Sequence, residues 1–235
     1  MKSACWLVLA LTGCIGDDAQ HLPINPGAGG FIHPPGGTGG TNVIVISARV
    51  CRVTDLVAFN ECEFVDVGGL LVQVNNQSII TNADGTFTVA VPVTPTTPVE
   101  VVNVSGLGAV TTTTPFTPSI TTFPIIDADV FARALASNFI ALPPNTGSIL
   151  GRVIRNGIPV AGVTVVSAPL SAINPLFDLG AGFGINETGQ RGVFFVPGIT
   201  TGAAALTFSP GETLVSGVPV INGGVTILDS TVLPP

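Results

Sequence analysis

Residues 68–92 read GGLLVQVNNQSIITNADGTFTVAVP, and this stretch decides the fold class. Alternating apolar residues run through Leu71–Val74, Asp84-Gly85 marks a turn, and alternation resumes at Phe87. Asp-Gly between two alternating segments is a strong signal for a β-hairpin, because both turn positions favour positive φ. The stretch therefore predicts strands joined by a hairpin turn at Asp84-Gly85.

The pattern returns in the second half of the chain, in GRVIRNGIPVAGVTVVSAP at 151–169 and GQRGVFFVPGITTGAAALTFSPG at 189–211. Two pairs of segments correspond in sequence: 69–72 with 162–165, and 85–87 with 192–194. The chain therefore contains two copies of one strand pattern.

The second copy is longer than the first. The interval from Val72 to Phe87 is 15 positions, whereas the matching interval from Val165 to Phe194 is 29. The additional residues lie in LSAINPLFDLGAGFG, which contains a proline and three glycines. We expect this insertion to leave the sandwich as a loop and to be the least ordered part of the second copy.

Both copies resemble the carboxypeptidase regulatory-like family, which consists of transthyretin-like β-sandwiches found in many bacterial surface proteins. The family pattern is a Gly-x-Val strand, an Asn-Gly or similar turn, Pro-Val-x-Gly-x-x-Val, and a later Gly-x-Phe. The second copy carries this pattern at Gly151, Val153, Asn156, Gly157, Pro159, Val160, Gly162, Val165, Gly192 and Phe194. The first copy matches its latter half, at Gly69, Val72, Thr81, Asp84, Gly85 and Phe87. A cysteine loop replaces the opening turn of the first copy.

The resemblance covers about residues 43–110 and 148–215, and it implies an all-β fold with two small Ig-like or transthyretin-like β-sandwich domains in tandem. A composition rich in Val, Ile, Thr, Gly, Pro and Phe agrees with strands and turns. We assign 43–124 to the first domain, 125–147 to a helix and linker, and 148–235 to the second domain. These motifs specify a fold and not a chemistry.

Two segments between the copies have distinct patterns. IIDADVFARALASNFI, at 125–140, is the helical pattern of the chain. Asp127 suits its N-cap and Asp129 its first turn; both could be metal ligands, but the helix cap is the simpler interpretation. Thr111–Thr114, followed by Pro115, fits an edge strand or a connector.

The chain begins with MKSACWLVLALTGC, which is typical of a processing signal. Lys2 precedes an apolar run that is about half of the ~20 residues needed to span a membrane. The ending LTGC resembles the bacterial lipobox, which implies removal of residues 1–13 and acylation of Cys14. An ordinary signal peptide with an incidental cysteine, or a buried strand, are the alternatives. Ile15 favours the outer membrane, because lipoproteins kept at the inner membrane often carry Asp there.

The lipidated cysteine would be followed by a tether, so that residues 14–42 form one segment rich in Gly and Pro. Its aliphatic residues are too scattered to offset the entropy of ordering the chain. A flexible segment of this length averages roughly 30 Å end to end and reaches ~90 Å when extended. Both histidines, His21 and His33, lie in this tether.

The charge balance disfavours a nucleic-acid partner. The chain has 7 basic and 14 acidic residues, and its single lysine, Lys2, would leave with the signal peptide. Phosphate binding needs clustered cations, which the scattered arginines do not provide. We therefore expect membrane contact through covalent lipid on Cys14 and not through charge.

Two cysteines remain in the sandwich region, Cys51 and Cys62. An exported chain meets an oxidising compartment, where a nearby pair of cysteines usually bonds. A disulfide closing this short loop would contribute ~3 kcal/mol on the loop-entropy estimate. A metal site is the less favoured alternative, because no histidine lies within the predicted fold.

The sequence offers little for catalysis, because the mature chain would have no lysine and both histidines lie in the tether. We expect no enzyme activity, no cofactor and no metal site. The leading interpretation is a structural or interaction module of the bacterial cell envelope, on its periplasmic or surface-exposed face. Its partner would be an unidentified protein or polysaccharide.

Carbohydrate binding is the alternative function. Sugar faces stack on aromatic rings, and of Trp, Tyr and Phe the predicted mature chain contains only Phe. Phe177 and Phe183, in the insertion of the second copy, are the aromatic residues that could contact a ligand. Core packing beneath a long loop is the more common role for such residues.

The lipobox predicts the effect of Cys14→Ser. In a bacterial host the wild-type chain should partition into detergent and incorporate labelled fatty acid, and Cys14→Ser should abolish both, because no other strongly apolar anchor remains. Cys5→Ser is the matched control and should change neither. A Cys14→Ser chain that still incorporates label would show that another residue is acylated.

Overall fold

The computed structural model describes residues 42–94, 100–211 and 213–232. The predicted signal peptide, Cys14 and the tether up to residue 41 lie outside these ranges. The described residues form seventeen strands, one α-helix and one short 3₁₀ helix at Leu56–Ala58. The strands of the first half are β1 (Asn42–Val53), β2 (Leu71–Val74), β3 (Gln77–Ile80), β4 (Thr86–Val93), β5 (Val101–Ser105), β6 (Ala109–Val110), β7 (Thr112–Pro115) and β8 (Thr122–Asp127).

Helix α1 (Ala128–Ser137) separates these strands from those of the second half. These are β9 (Thr146–Arg155), β10 (Ile158–Pro159), β11 (Thr164–Ala168), β12 (Leu176–Asp178), β13 (Phe183–Gly184), β14 (Val193–Thr200), β15 (Gly202–Ser209), β16 (Thr213–Val220) and β17 (Val225–Val232). The prediction of an all-β sandwich fold is confirmed. We call β1–β8 the first copy and β9–β17 the second copy.

The two copies have the same strand pairing. In the first copy β1 lies antiparallel to β4 and parallel to β8, and in the second β9 lies antiparallel to β14 and parallel to β17. The facing sheet places β5 between β2 and β7, and correspondingly β15 between β11 and β16, all antiparallel. The sequence repeat is therefore a structural repeat.

A buried threonine holds the same turn in each copy. The Thr81 hydroxyl accepts the Leu70 N–H at 2.9 Å and donates to the Val67 carbonyl at 2.6 Å. Thr188 makes the equivalent pair of bonds in the second copy, accepting from Val163 at 3.0 Å and donating to a carbonyl at 2.7 Å. Each hydroxyl thus satisfies two backbone groups that would otherwise be buried without partners.

A glycine before β4 and its counterpart before β14 also match. Gly85 and Gly192 have φ of +84° and +67°, and their carbonyls accept the N–H groups of Val50 and Val153 at 2.9 and 2.8 Å. A Cβ at Gly85 would lie 2.8 Å from the Val50 carbonyl oxygen. Both the left-handed conformation and the close approach therefore require glycine.

The hairpin predicted at Asp84-Gly85 is wrong, because β3 and β4 belong to different sheets and the turn passes between them. Asp84 keeps a negative φ, and its carboxylate accepts the Thr86 N–H at 3.0 Å and hydroxyl at 2.7 Å. The two-residue hairpin of this region instead joins β2 to β3 through Asn75, whose φ is +50°.

One ten-stranded sheet runs through both copies, in the path β13-β12-β14-β9-β17-β7-β5-β2-β3, with β10 paired to β9 off this path. The last strand of the chain, β17, pairs in parallel with β7 at Val225↔Thr112 and Thr226↔Thr113. The expectation that Thr111–Thr114 is an edge or connector is therefore wrong. Thr112, Thr113 and Thr114 are buried in mid-sheet, where the Thr112 hydroxyl donates to a backbone carbonyl at 2.8 Å.

The predicted tandem domains each have an apolar core, but no independent linker separates them. The first core lies between the sheet β4-β1-β8-β6 and the strands β7-β5-β2-β3, and the second faces the sheet β11-β15-β16. Residues 125–127, which the sequence assigns to the helix and linker, are instead the end of β8. Asp127 occupies the N-cap position without a side-chain cap bond, and its carboxylate lies 3.3 Å from the Arg52 guanidinium.

A third core, which we call the junction core, lies between the copies. It is built by residues of the cysteine loop, the end of β8, α1 and the insertion, packed against one face of the sheet formed by β9, β14 and β17. The buried members are Val53, Leu56, Phe59, Ile126, Phe131, Leu150, Leu176, Val193, Phe195, Val225 and Ile227. The segments that interrupt the repeat pattern therefore supply the contact between its two copies.

The expectation that the insertion of the second copy forms a loop is wrong in its central part. Strand β12 pairs with β14 at Leu176↔Phe195 and Phe177↔Phe194, and β13 pairs with β12. Leu176 faces the junction core and Phe177 faces the second core, so both sides of β12 are covered. Burial on both faces explains why this short apolar segment is ordered as a strand.

The junction core predicts a large effect of Phe59→Ala. Phe59 is 1% exposed, and its truncation should lower the free energy of unfolding by about 3–5 kcal/mol through lost burial and a cavity. Phe64→Ala, two residues after the disulfide-closed loop, is the control. Phe64 is 43% exposed with its ring over the Arg49 guanidinium, so its truncation should cost about 1 kcal/mol or less. Denaturant unfolding of the disulfide-intact chain measures both; similar values for the two would contradict the role of the junction core.

Candidate binding groove

An open groove lies beside β11, in the second copy, with a volume of about 310 Å³. Its lining combines apolar side chains with two amides and a hydroxyl. The lining residues are Thr164, Val165, Asn174, Pro175, Phe177, Ile185 and Asn186. Strand β11 forms one wall, and segments of the insertion form the other.

Strand β11 is at the edge of its three-stranded sheet. Just before it, the Val163 carbonyl accepts the Thr188 N–H at 2.9 Å, so the backbone polar groups of Val163 point away from β15. Backbone groups alternate in direction along an antiparallel strand. The N–H and C=O of Val165 therefore face the groove, whereas those of Thr164 and Val166 face β15.

The opposite wall is fixed by a buried carboxylate. Asp178, at the end of β12, is fully buried and accepts three backbone N–H bonds, from Gly189 at 2.9 Å, Arg191 at 3.0 Å and Val193 at 2.8 Å. A Cβ at Gly189 would collide with Asp178, so this residue must be glycine for the turn to close over the carboxylate. Such charge-assisted bonds tie the insertion to the start of β14.

The two phenylalanines singled out as possible ligand contacts have different positions. Phe177 is 4% exposed; it lines the floor of the groove, but most of its ring packs in the second core. Phe183 is half-buried against the junction core, with its ring 5.8 Å from that of Phe195. Both rings therefore pack against apolar cores, as the more common role of such residues predicts.

The exposed apolar residues around the groove are ones that sequence reasoning missed. Val166 is 54% exposed and Ile185 is 62% exposed. Asn186 adopts φ of +114°, a conformation that L-residues rarely occupy. The alternation of apolar residues through β11 was the available signal, because it predicts a strand but not whether a neighbouring strand covers it.

The predicted disulfide Cys51–Cys62 is present, with a Cα–Cα distance of 5.5 Å. Cys51 is buried near the end of β1, and the bond closes the loop that contributes Leu56 and Phe59 to the junction core. It therefore stabilises the contact between the copies and lies apart from the groove.

The groove has no groups for acid–base or metal chemistry, since its lining side chains include no carboxylate, imidazole or thiol. Within the described ranges, no group of three or more His, Cys, Asp or Glu residues could hold a metal ion. The Thr86 hydroxyl and N–H lower the pKa of Asp84, but this carboxylate belongs to the exposed turn before β4. The groove can offer apolar contacts, amide and hydroxyl groups, and a strand edge.

Comparisons with known proteins give little beyond this description. No family model and no curated protein matches the chain. The solved structures that align with it at low similarity include the following three. The minor pilin GBS52 of Streptococcus agalactiae is 12% identical, with 80% of this chain and 96% of that chain covered and a TM-score of 0.25. A streptococcal ancillary pilin is 11% identical, with coverage of 81% and 63% and a TM-score of 0.23. The Bacillus anthracis TIE protein is 9% identical, with coverage of 79% and 33% and a TM-score of 0.20.

At these TM-scores the similarity supports no inference about function. The chain also spans less than two thirds of the ancillary pilin and one third of the TIE protein. Among the helices of the described residues, none has the length and apolar character needed to cross a membrane.

The buried carboxylate predicts the effect of Asp178→Asn. The substituted amide cannot accept all three N–H bonds and loses the charge, so the free energy of unfolding should fall by about 1.5–3 kcal/mol. Glu187→Gln, at an exposed position nearby, is the matched control and should stay within about 0.5 kcal/mol of wild type. Equal midpoints and slopes for both variants in denaturant would contradict the role of Asp178.

Proposed function

We propose that this chain is a non-catalytic interaction module of the bacterial cell envelope, anchored by lipid on Cys14. The observation that carries the proposal is the pairing of β17 with β7, which makes one sheet of strands from both copies. A single sheet and a shared junction core couple the copies mechanically. Such a construction suits a display element better than two domains on a flexible linker.

The direction of β1 supports a display role. Val53, at the end of β1, lies in the junction core, whereas Asn42, at its start, is about 36 Å away at the rise of an extended strand. A tether that ends at Asn42 would therefore enter the first copy at the end opposite the junction. The first copy then acts as a spacer, and the second copy, with its groove, is presented away from the anchor.

The chemistry of the groove supports a binding role and not a catalytic one. Uncharged amide, hydroxyl and aliphatic groups can recognise a neutral partner, but they supply neither a general base nor a nucleophile with its activating partner. The resemblance to the carboxypeptidase regulatory-like family fits this proposal, because that family's motifs specify a sandwich and no active site.

Carbohydrate binding is a second candidate, favoured by the two amides, Asn174 and Asn186, and the Thr164 hydroxyl that line the groove. Polar groups of this kind bind sugar hydroxyls well. The candidate ranks second because the aromatic ring that lines the groove, Phe177, is buried in the second core, and Phe183 packs against the junction core outside the groove lining.

The proposed location predicts labelling of Ile185→Cys at the rim of the groove. In intact bacteria this exposed thiol should react with a maleimide that does not cross the inner membrane, and the labelled chain should remain in the membrane fraction. Adding Cys14→Ser should release the chain while leaving Ile185→Cys reactive once exported. Labelling that requires lysis of the inner membrane would refute an envelope location.

A further inference from the structure

The repeat allows each strand edge of one copy to be compared with its counterpart in the other. In the first copy, the outer edge of β2 is covered by β3 at Leu71↔Ile80, Val72↔Ile79, Gln73↔Ser78 and Val74↔Gln77. In the second copy, β11 is the counterpart of β2, and among the described strands it pairs with β15 alone. The groove lies where β3 lies in the first copy.

The register of this comparison is fixed by shared hydrogen bonds. Gly69 and Gly162 donate their N–H groups to the carbonyls of the two matched threonines at 3.0 and 2.7 Å, and have φ of +75° and +78°. Residues 71–74 of β2 therefore correspond to residues 164–167 of β11. Val165 corresponds to Val72, whose backbone N–H and C=O face β3, and Val166 corresponds to Gln73.

The insertion explains why the edge of β11 is left open. After β2 the chain turns at once through Asn75 and returns as β3 beside β2. After β11 the chain instead crosses to the other sheet, where β12 pairs with β14. The Asp178 carboxylate fixes this path by binding backbone groups before and at the start of β14. The second copy thus uses its insertion in the junction core. The chain returns to this edge at Thr188, whose backbone bonds Gly162 and Val163, and residues 164–168 pair with β15 alone among the described strands.

The first copy shows what chemistry fits such an edge. The segment Gln77–Ile80 is uncharged, and Ile79 is half-buried against the first core while Ser78 faces solvent. In the groove, an aliphatic residue at the position of Ile79 would lie over Pro175 and Phe177. The exposed side chains of Val166 and Ile185 would be partly covered by the same strand. The uncharged lining gives no reason to favour a charged peptide.

We propose that the groove binds an extended, uncharged peptide segment of a partner protein, which adds as an antiparallel strand to the edge of β11. The Val165 N–H and C=O supply the central backbone bonds, and an aliphatic side chain of the peptide fills the groove. The proposal rests on the proposed interaction function and names the chemistry of its partner.

The test is disulfide trapping in register. The full chain carrying Cys5→Ser, Cys14→Ser and Val166→Cys has one free thiol, at an exposed position. Two synthetic peptides are compared, both covering residues 76–80: one with Ser78→Cys, whose thiol faces Val166→Cys in the β2–β3 register, and one with Gln77→Cys, whose thiol faces the other side of the strand. The peptides stop before residue 81, because Thr188 already occupies the corresponding position. Both keep Ile79. At equilibrium in a redox buffer of oxidised and reduced glutathione, in which the oxidised form accepts the two electrons, the Ser78→Cys peptide should give about tenfold more mixed disulfide.

Two controls decide whether the preference arises in the groove. Leu214→Cys replaces Val166→Cys on the opposite edge of the same sheet, where 63% of the native side chain is exposed, and should show no preference between the peptides. Adding Ile79→Asp to the Ser78→Cys peptide should remove its advantage. Equal yields of the two peptides with Val166→Cys would overturn the proposal.

A second measurement needs no substitution in the fold. Hydrogen exchange at the Val165 amide of the Cys5→Ser, Cys14→Ser chain should slow on addition of the unmodified 76–80 peptide, and not with a scrambled peptide. If exchange at the Val165 amide slows only when the concentration of this chain is raised, the occupant is a second copy of the chain. If it slows only when a polysaccharide is added, the ligand is a glycan. Either result would overturn the peptide assignment. The envelope location is tested separately by the Ile185→Cys labelling, so one proposal can fail while the other stands.

Discussion

The parallel ladder between β17 and β7 is the constraint on which the rest of the structure depends. It begins at Val225 and Thr112, and the Val225 N–H donates to the Thr111 carbonyl at 3.0 Å. Gly224 permits this approach, because a Cβ there would lie 2.8 Å from the same oxygen. The ladder is short, but it brings the last strand of the chain against the first copy. The junction core can form only when this strand is in place, since Val225 and Ile227 are among its members.

The junction core explains why the two copies differ where they do. Each copy keeps the turns, glycines and buried threonine that build the sandwich, and each diverges in a segment that is free to pack elsewhere. In the first copy this segment is the disulfide-closed loop with Phe59; in the second it is the insertion with Leu176. Helix α1 adds Phe131 to the same core, with its ring 6.0 Å from that of Phe195. The segments in which the copies differ therefore contribute to the contact between them.

The sequence predicted the features that depend on local chemistry. Turn glycines, alternating strands and the nearby cysteine pair are visible along the chain, and the fold class and disulfide follow from them. The positions of β7 and β12 could not be predicted, because their partners come from distant segments: three consecutive buried threonines show no alternation, and Leu176 and Phe177 face two different cores. Phe177 was the one residue of the groove that the sequence indicated. Whether a strand edge is open depends on the path of a neighbouring segment, which the sequence of the strand itself does not show.

An exposed strand edge is a liability in a β-protein, because it can pair with other chains. The first copy covers both ends of its half of the ten-stranded sheet, with β3 beside β2 and β17 beside β7. In the second copy the corresponding segments pack in the junction core instead. The outer edge of β11 therefore has no paired strand within the described structure. Charged residues and proline, the usual protection of such edges, are absent from Thr164–Ala168. An edge that keeps apolar residues and lies in a groove shaped by an ordered wall has the features of a site for a strand.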